Sequence, residues 1–327
     1  MPQKSGPVFA IIRIYRRAGG DTEEKKETEN AMYRYSIRTD LACESEATHD
    51  AGRDGTAYAE SEAGGFRVAK LHVRNADGEA ATGKKCGRYI TIFTDLLCDE
   101  SADRMDALAA LIADEIGALA RVHLGGSPRC VLAVGLGNRE ITADSIGPKT
   151  VDRLTVTRHI RAHDEALFNS LCRIPLCAVA PGVLGQTGIE TAELIGGVAA
   201  TAKPDLILAV DALAARSTRR LGATIQISDS GIFPGSGIGN RRNEISARTL
   251  GVPVIAIGVP TVVNSATLVY DALQCAGYTE IDDRIERVLA EGESFFVSPR
   301  QSDRISESAA DMLADAIDRL CLNERKD

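Results

Sequence analysis

Two apolar runs in this chain each end by handing a single carboxylate to the turn that follows. The first lies in VLAVGLGNREITADSIGPKTVDRLTVTRHI (131–160) and delivers Asp144; the second, in PDLILAVDALAARS (204–217), carries Asp211 at its end. Short continuous apolar runs bounded by turn residues read as buried strands. In an open α/β sheet the carboxyl ends of such strands face the crevice where ligands bind. Two aspartates delivered there form a candidate pair for activating water by general acid–base chemistry. The same residues also admit purely structural roles, Asp144 as the cap of a following helix and Asp211 as an ion-pair partner of Arg216.

The pattern around these runs predicts an α/β fold, with a largely parallel or mixed sheet covered by helices on both faces. Strands are expected at 66–73, 89–94, 130–135, 175–182, 205–213, 224–228 and 253–260. Helical periodicity runs through 101–123, 148–159, 190–202, 265–275 and 303–322. NADG (75–78) reads as a turn, and the stretch 48–65 is polar and Gly/Ala-rich. Residues 1–35, which contain GGDTEEKKETENAMYRY, have too little apolar surface to order themselves and read as a tail.

Bulk properties exclude several functions. A net charge of -8 argues against a nucleic-acid surface, which needs a basic stripe. VFAIIRIY (8–15) is broken by Arg13 and lacks a small-residue cleavage site, so it is not a secretory signal. No run reaches membrane-spanning length, and a cytoplasmic protein is expected. The eight cysteines form no CxxC pair and no zinc spacing, which suggests free buried thiols in a reducing compartment.

Other chemical motifs are weaker. Gly135-Leu136-Gly137 follows a strand, but a dinucleotide fingerprint needs glycine where Glu140 stands, so tight turning of the backbone is the better explanation. His159 and His163 stand one helical turn apart without HExxH, and read as a solvated helix end rather than a metal site. No cofactor and no metal is expected. Asp229, at the end of TIQIS, and Glu190, at a helix start, are further carboxylates for supporting or substrate-binding roles. The glycine-rich GIFPGSGIGNRR (231–242) could present backbone amides to an oxyanion, and its Arg241 and Arg242 could meet acidic substrate side chains.

The string VGLGNREITADSIGPKTVDRLTVTRHI resembles the germination protease family, peptidases that attack small acid-soluble spore proteins. The resemblance continues through APGVLGQTGIETAELI (180–195), KPDLILAVDALAARS (203–217), TIQISDSGIFPGSGIGNRR (224–242), LGVPVIAIGVPTVV (250–263) and FFVSPR (295–300), with YSIRTDLACE (35–44) similar to that family's N-terminal segment. It implies a phosphorylase/hydrolase-like fold similar to hydrogenase-maturation endopeptidases, two catalytic aspartates falling on Asp144 and Asp211, and a homotetramer working in the spore core. A metal-assisted maturation-type endopeptidase and a non-catalytic binding protein on the same fold are the alternatives.

The resemblance also implies a zymogen that removes its own N-terminal peptide. The family cuts after an acid and before an apolar residue and alanine, and Asp40-Leu41-Ala42-Cys43-Glu44 has that form. Cleavage is expected between Asp40 and Leu41, leaving 1–40 as propeptide and 41–327 as a single α/β peptidase domain. The 40 residues ahead of the cut exceed what the family usually carries.

Overall fold

The computed structural model describes residues 39–45, 55–233, 243–278, 282, 284–285, 288–289 and 295–323. Nine strands form one mixed sheet: β1 (Thr56–Ala63), β2 (Phe66–Val73), β3 (Gly87–Phe93), β4 (Val131–Gly135), β5 (Leu176–Val179), β6 (Leu206–Ala215), β7 (Thr224–Ser228), β8 (Val254–Asn264) and β9 (Phe296–Val297). Their order is β1-β2-β3-β7-β8-β6-β4-β5, with β9 added to β8. The β8-β6-β4-β5 half is parallel, while β1, β2, β3 and β7 run antiparallel up to β8.

Side-chain alternation sorts each strand between two faces. On the first face, Val131, Ala133, Leu206, Leu208, Val210, Ile225, Ile227, Ile255 and Ile257 pack into one large core. Two long helices cover it, α2 (Ala102–Leu124) and α10 (Ser302–Cys321), with the shorter α3 (Ile146–Arg153). Both long helices show the apolar stripe such packing needs, in α2 through Leu108, Ile112, Ile116 and Leu119. On the second face, Leu132, Val134, Ile207 and Ala209 pack under Ile195 and Ala199 of α7 (Thr191–Ala202). Farther along β6, Leu213 and Ala215 point the same way but meet Leu41 instead of a helix.

Several expectations need correction. NADG is not a turn: Asn75 caps the helix α1 (Ala76–Thr82), its side chain accepting from Gly78 N–H at 3.0 Å. Within 48–65 the chain forms strand β1, mostly exposed because it is the sheet edge and has only one face to bury. The helix expected over 148–159 is two, α3 and α4 (Arg158–His163), because the chain turns extended at Leu154 and Thr157 drops out to accept Leu176 N–H with its hydroxyl. Other helices with fully described bounds are α5 (Glu165–Leu171), α6 (Leu184–Thr187), α8 (Ala247–Leu250) and α9 (Ser265–Cys275).

All eight cysteines are free, but only Cys172 and Cys321 are buried; Cys86 and Cys275 are exposed, Cys275 on the outer side of the amphipathic α9. Cys130 and Cys177 lie together where β4 and β5 begin. A hydrogen bond with Cys177 lowers the Cys130 thiol below its ordinary value against the effect of burial, helped by the Arg158 charge. Burial pushes Cys321 up to about 12. Iodoacetamide should therefore modify Cys130 at lower pH than an ordinary thiol and leave Cys321 untouched in the folded protein. A Cys130 that reacts only in the pH range of an ordinary thiol, read by peptide mass mapping across pH, would contradict this arrangement.

Candidate active site

Asp211 is the third member of the second-face row Ile207, Ala209, Asp211 in β6, and is 5% exposed. Its Oδ1 accepts Ala212 N–H at 2.9 Å. Asp144 arrives from the neighbouring strand. β4 continues past its end through a bond from Leu136 N–H to Val210 C=O at 2.8 Å, which brings the following loop alongside Asp211. That loop folds back on itself. Asp144 sits at the end of a 3₁₀ turn (Thr142–Asp144), and its Oδ2 accepts Asn138 N–H at 2.8 Å.

Gly137 permits this fold-back. It has φ +107, and a Cβ there would lie 2.1 Å from the Asp144 carbonyl oxygen and 2.8 Å from its Oδ1. The glycines of the GLG sequence thus serve close backbone approach, as expected. Gly137→Ala should cost roughly 1–3 kcal/mol of stability from backbone strain. Because the displaced atoms belong to Asp144, activity should fall far more than the melting temperature does. A variant with wild-type turnover would mean that Asp144 does not need its present position.

The second fixed point comes from β8. The β6–β8 register slips between Leu213 and Ala214, placing Thr261 as an extra residue. Its hydroxyl donates to Ala143 C=O at 2.6 Å, tying the Asp144 loop to the central strand. Ser306 of α10 donates to Thr142 C=O at 2.9 Å from the other side.

Asp144 and Asp211 both line a cleft of about 750 Å³ on the second face. Its floor is made of β7, β8 and β6 residues, including Gln226, Ser228, Gly258 and Leu213. The segment 39–45 runs along its wall, where Thr39, Asp40, Glu44 and Ser45 line it, and leads into a short 3₁₀ turn (Ala42–Glu44). Asp40 N–H donates to Ala214 C=O at 2.9 Å, and Ala214 N–H donates back to Asp40 Oδ2 at 2.8 Å. Leu41 is fully buried against Leu213, Ala215, Leu221 and Val263. Ala42 is 1% exposed and packs with Leu71, Val73 and Tyr89. Glu44 accepts Arg216 N–H at 2.7 Å and Ser217 N–H at 3.0 Å.

Lys84 donates to Thr39 C=O at 2.7 Å. Burial pushes its ammonium below the ordinary value, while the nearby Asp40 and Glu44 carboxylates oppose that shift.

The other candidates fall elsewhere. Asp229 lies beside the cleft, with its side chain turned away to Arg88 and His123: Arg88 N–H donates at 2.6 Å, Arg88 Nη1 lies at 3.0 Å and His123 Nε2 at 3.0 Å. It ties β3 to the last turn of α2. Asp229→Ala should therefore lower stability by roughly 2 kcal/mol, the scale of hydrogen bonds to a buried charge, as read by denaturant unfolding. An unchanged midpoint would contradict that role. Glu190 precedes α7 and makes no capping bond with its side chain, and it is not among the cleft residues. Arg241 and Arg242 lie outside the described residues. Arg216 pairs with Asp271 at 3.2 Å, and Asp144 does not cap α3, whose N-cap is Ser145.

Gln226, Lys84 and Thr261 did not emerge from the sequence reading. A signal existed for Gln226: in TIQIS the alternation puts Thr224, Gln226 and Ser228 on one side, a polar row inside a central strand. Among the described residues no group of three or more His, Cys, Asp or Glu is placed to hold a metal ion. None of their helices is long and apolar enough to cross a membrane.

With the sheet and the cleft described, comparison with known proteins gives the class. The family model for germination protease matches residues 37–279. Germination protease of Priestia megaterium is 41% identical over 257 residues, covering 76% of this chain and 69% of that protein. That of Bacillus subtilis is 41% identical over 256 residues with the same coverage, and that of Clostridium perfringens 37% over 315 residues, covering 86% and 94%. Among solved structures, a NiFe hydrogenase maturation protease of Thermococcus kodakarensis aligns with a TM-score of 0.28 and 18% identity, over 60% of this chain and 98% of that one. The chain belongs to the germination protease family and is a peptidase.

Proposed function

We propose that this chain is a spore-core endopeptidase that opens small acid-soluble spore proteins during germination, with Asp144 and Asp211 as its catalytic pair. One carboxylate, ionised, takes a proton as water adds to the peptide carbonyl; the other supplies a proton to the leaving amine as the C–N bond breaks. No metal takes part in this reading. The same machinery cuts Asp40–Leu41, so that residues 1–40 form a propeptide and the mature chain begins at Leu41. The family resemblance adds assembly as a homotetramer, which light scattering on the processed protein tests.

The observation that carries the reading is that Thr39, Asp40, Glu44 and Ser45 line the same cleft as both aspartates, with Leu41 and Ala42 buried beside it. An acid, a large apolar residue and a small one each meet a surroundings suited to them, in the order expected of the substrate. Incubation with a small acid-soluble spore protein should give fragments that start at an apolar residue followed by alanine, after an acid. Intact substrate, or cuts at unrelated positions, would overturn the proposal.

A further inference from the structure

We infer that Gln226 polarises the carbonyl of the bond to be cut. The inference rests on the reading of Asp40–Leu41 as that bond. Gln226 is 7% exposed and stands on the cleft floor in β7. Its Nε2 donates to Asp40 C=O at 3.0 Å, and its Oε1 accepts Ala42 N–H at 2.6 Å. The two partners fix which way the carboxamide points. A backbone N–H can only donate and a backbone carbonyl only accept, so a flipped amide would lose both bonds.

One side chain thus spans Leu41 as a neighbouring strand would, and the oxygen it holds belongs to the peptide group joining Asp40 to Leu41. The bonds to Ala214 come from β6, so the peptide is gripped from two strands.

The sheet register relates this grip to the aspartates. Gln226 pairs with Gly258, and Gly258 pairs with Asp211. The three form one row across β7, β8 and β6, so Gln226 and Asp211 share a face roughly 10 Å apart at the backbone, two strand spacings. Between them Gly258 has no side chain, and a Cβ there would lie 2.4 Å from Leu213 Cγ. The Leu213 side chain fills the space that glycine leaves, and packs there in the same cluster as Leu41. When water adds to the carbonyl carbon, the developing oxyanion is the atom that already accepts from Gln226. A buried, preoriented donor at that position acts mainly on the transition state, and losing one such donor slows catalysis about 10²–10³-fold.

Two variants test the inference in the full-length chain: Gln226→Met, which keeps size but removes donor and acceptor, and Gln226→Glu, which keeps shape. Release of residues 1–40 is followed by mass spectrometry between about pH 5 and pH 8, beside wild type, with melting temperatures to establish folding. Gln226→Met should process about 100-fold more slowly or worse at every pH. Gln226→Glu should be equally slow at pH 8, and its rate relative to wild type should rise as pH falls and the introduced carboxyl gains a proton to donate. A merely packed side chain would not produce that rise. Wild-type rates in both variants, or a Gln226→Glu deficit independent of pH, would overturn the inference while leaving the self-processing reading standing. Failure of wild type to cut Asp40–Leu41 would overturn that reading, and the inference with it.

Discussion

Asp144→Asn and Asp211→Asn should each lower proteolysis by roughly four orders of magnitude or more, as expected when one member of a unit that acts together is removed. The fold should survive. Asparagine is nearly the same shape, and its amide oxygen can still accept Asn138 N–H at position 144 and Ala212 N–H at position 211. What disappears is the capacity to take up and return a proton. Circular dichroism and melting temperature separate this from unfolding. Near-wild-type turnover in either variant would remove that aspartate from the mechanism. The wild-type enzyme should keep its activity in chelators, and loss of activity on metal removal would favour a metal-assisted peptidase.

Leu41→Asp should give the second large effect, with opposite signs on two reactions. Leu41 is fully buried among Leu213, Ala215, Leu221 and Val263. Burying such a side chain contributes about 1.5–3 kcal/mol, comparable with about two of the hydrogen bonds that hold the segment. A carboxylate at this position would have to be desolvated in an apolar pocket. Residues 39–44 should leave the cleft, and cleavage after Asp40 should fall at least about 100-fold. Cleavage of a separate spore protein should persist or rise, because the chain's own segment no longer walls part of the cleft. Parallel loss of both reactions, with folding intact, would mean that the segment supports the site instead of occupying it.

Much of the architecture was legible because long stretches of this chain obey one period at a time. The largely apolar strands β4, β6 and β8 could only belong to a sheet covered on both sides, and α2 and α10 carry clear stripes. The errors share a physical origin. β1 is an edge strand with a polar, exposed face, so hydrophobic alternation had nothing to report. α1 begins with an Asn-Ala-Asp-Gly sequence whose local chemistry favours a turn, until the Asn75 cap settles it as a helix. β8 extends to Asn264 past Pro260, which the sequence suggested as a stop, because the register shift at Leu213/Ala214 accommodates the interruption.

At the site, Asp144 and Asp211 stood out because a carboxylate at the end of an apolar run is conspicuous. Gln226 did not. An amide inside a strand looks like any polar residue at a sheet surface until residues from 186 positions earlier in the chain are seen to lie across it. Asp229 misled for the complementary reason. Its place at a strand end is right for a crevice, yet its partners Arg88 and His123 come from elements whose proximity no local pattern reveals.

The central claim is that the two aspartates act on a peptide laid as residues 39–44 are laid. Its most direct test is the N-terminal residue after incubation of the full chain, determined by mass spectrometry for wild type and Asp211→Asn side by side. Wild type should begin at Leu41 and the variant should keep its full length. A wild-type product that begins elsewhere, or an Asp211→Asn chain that is shortened to Leu41 all the same, would contradict it.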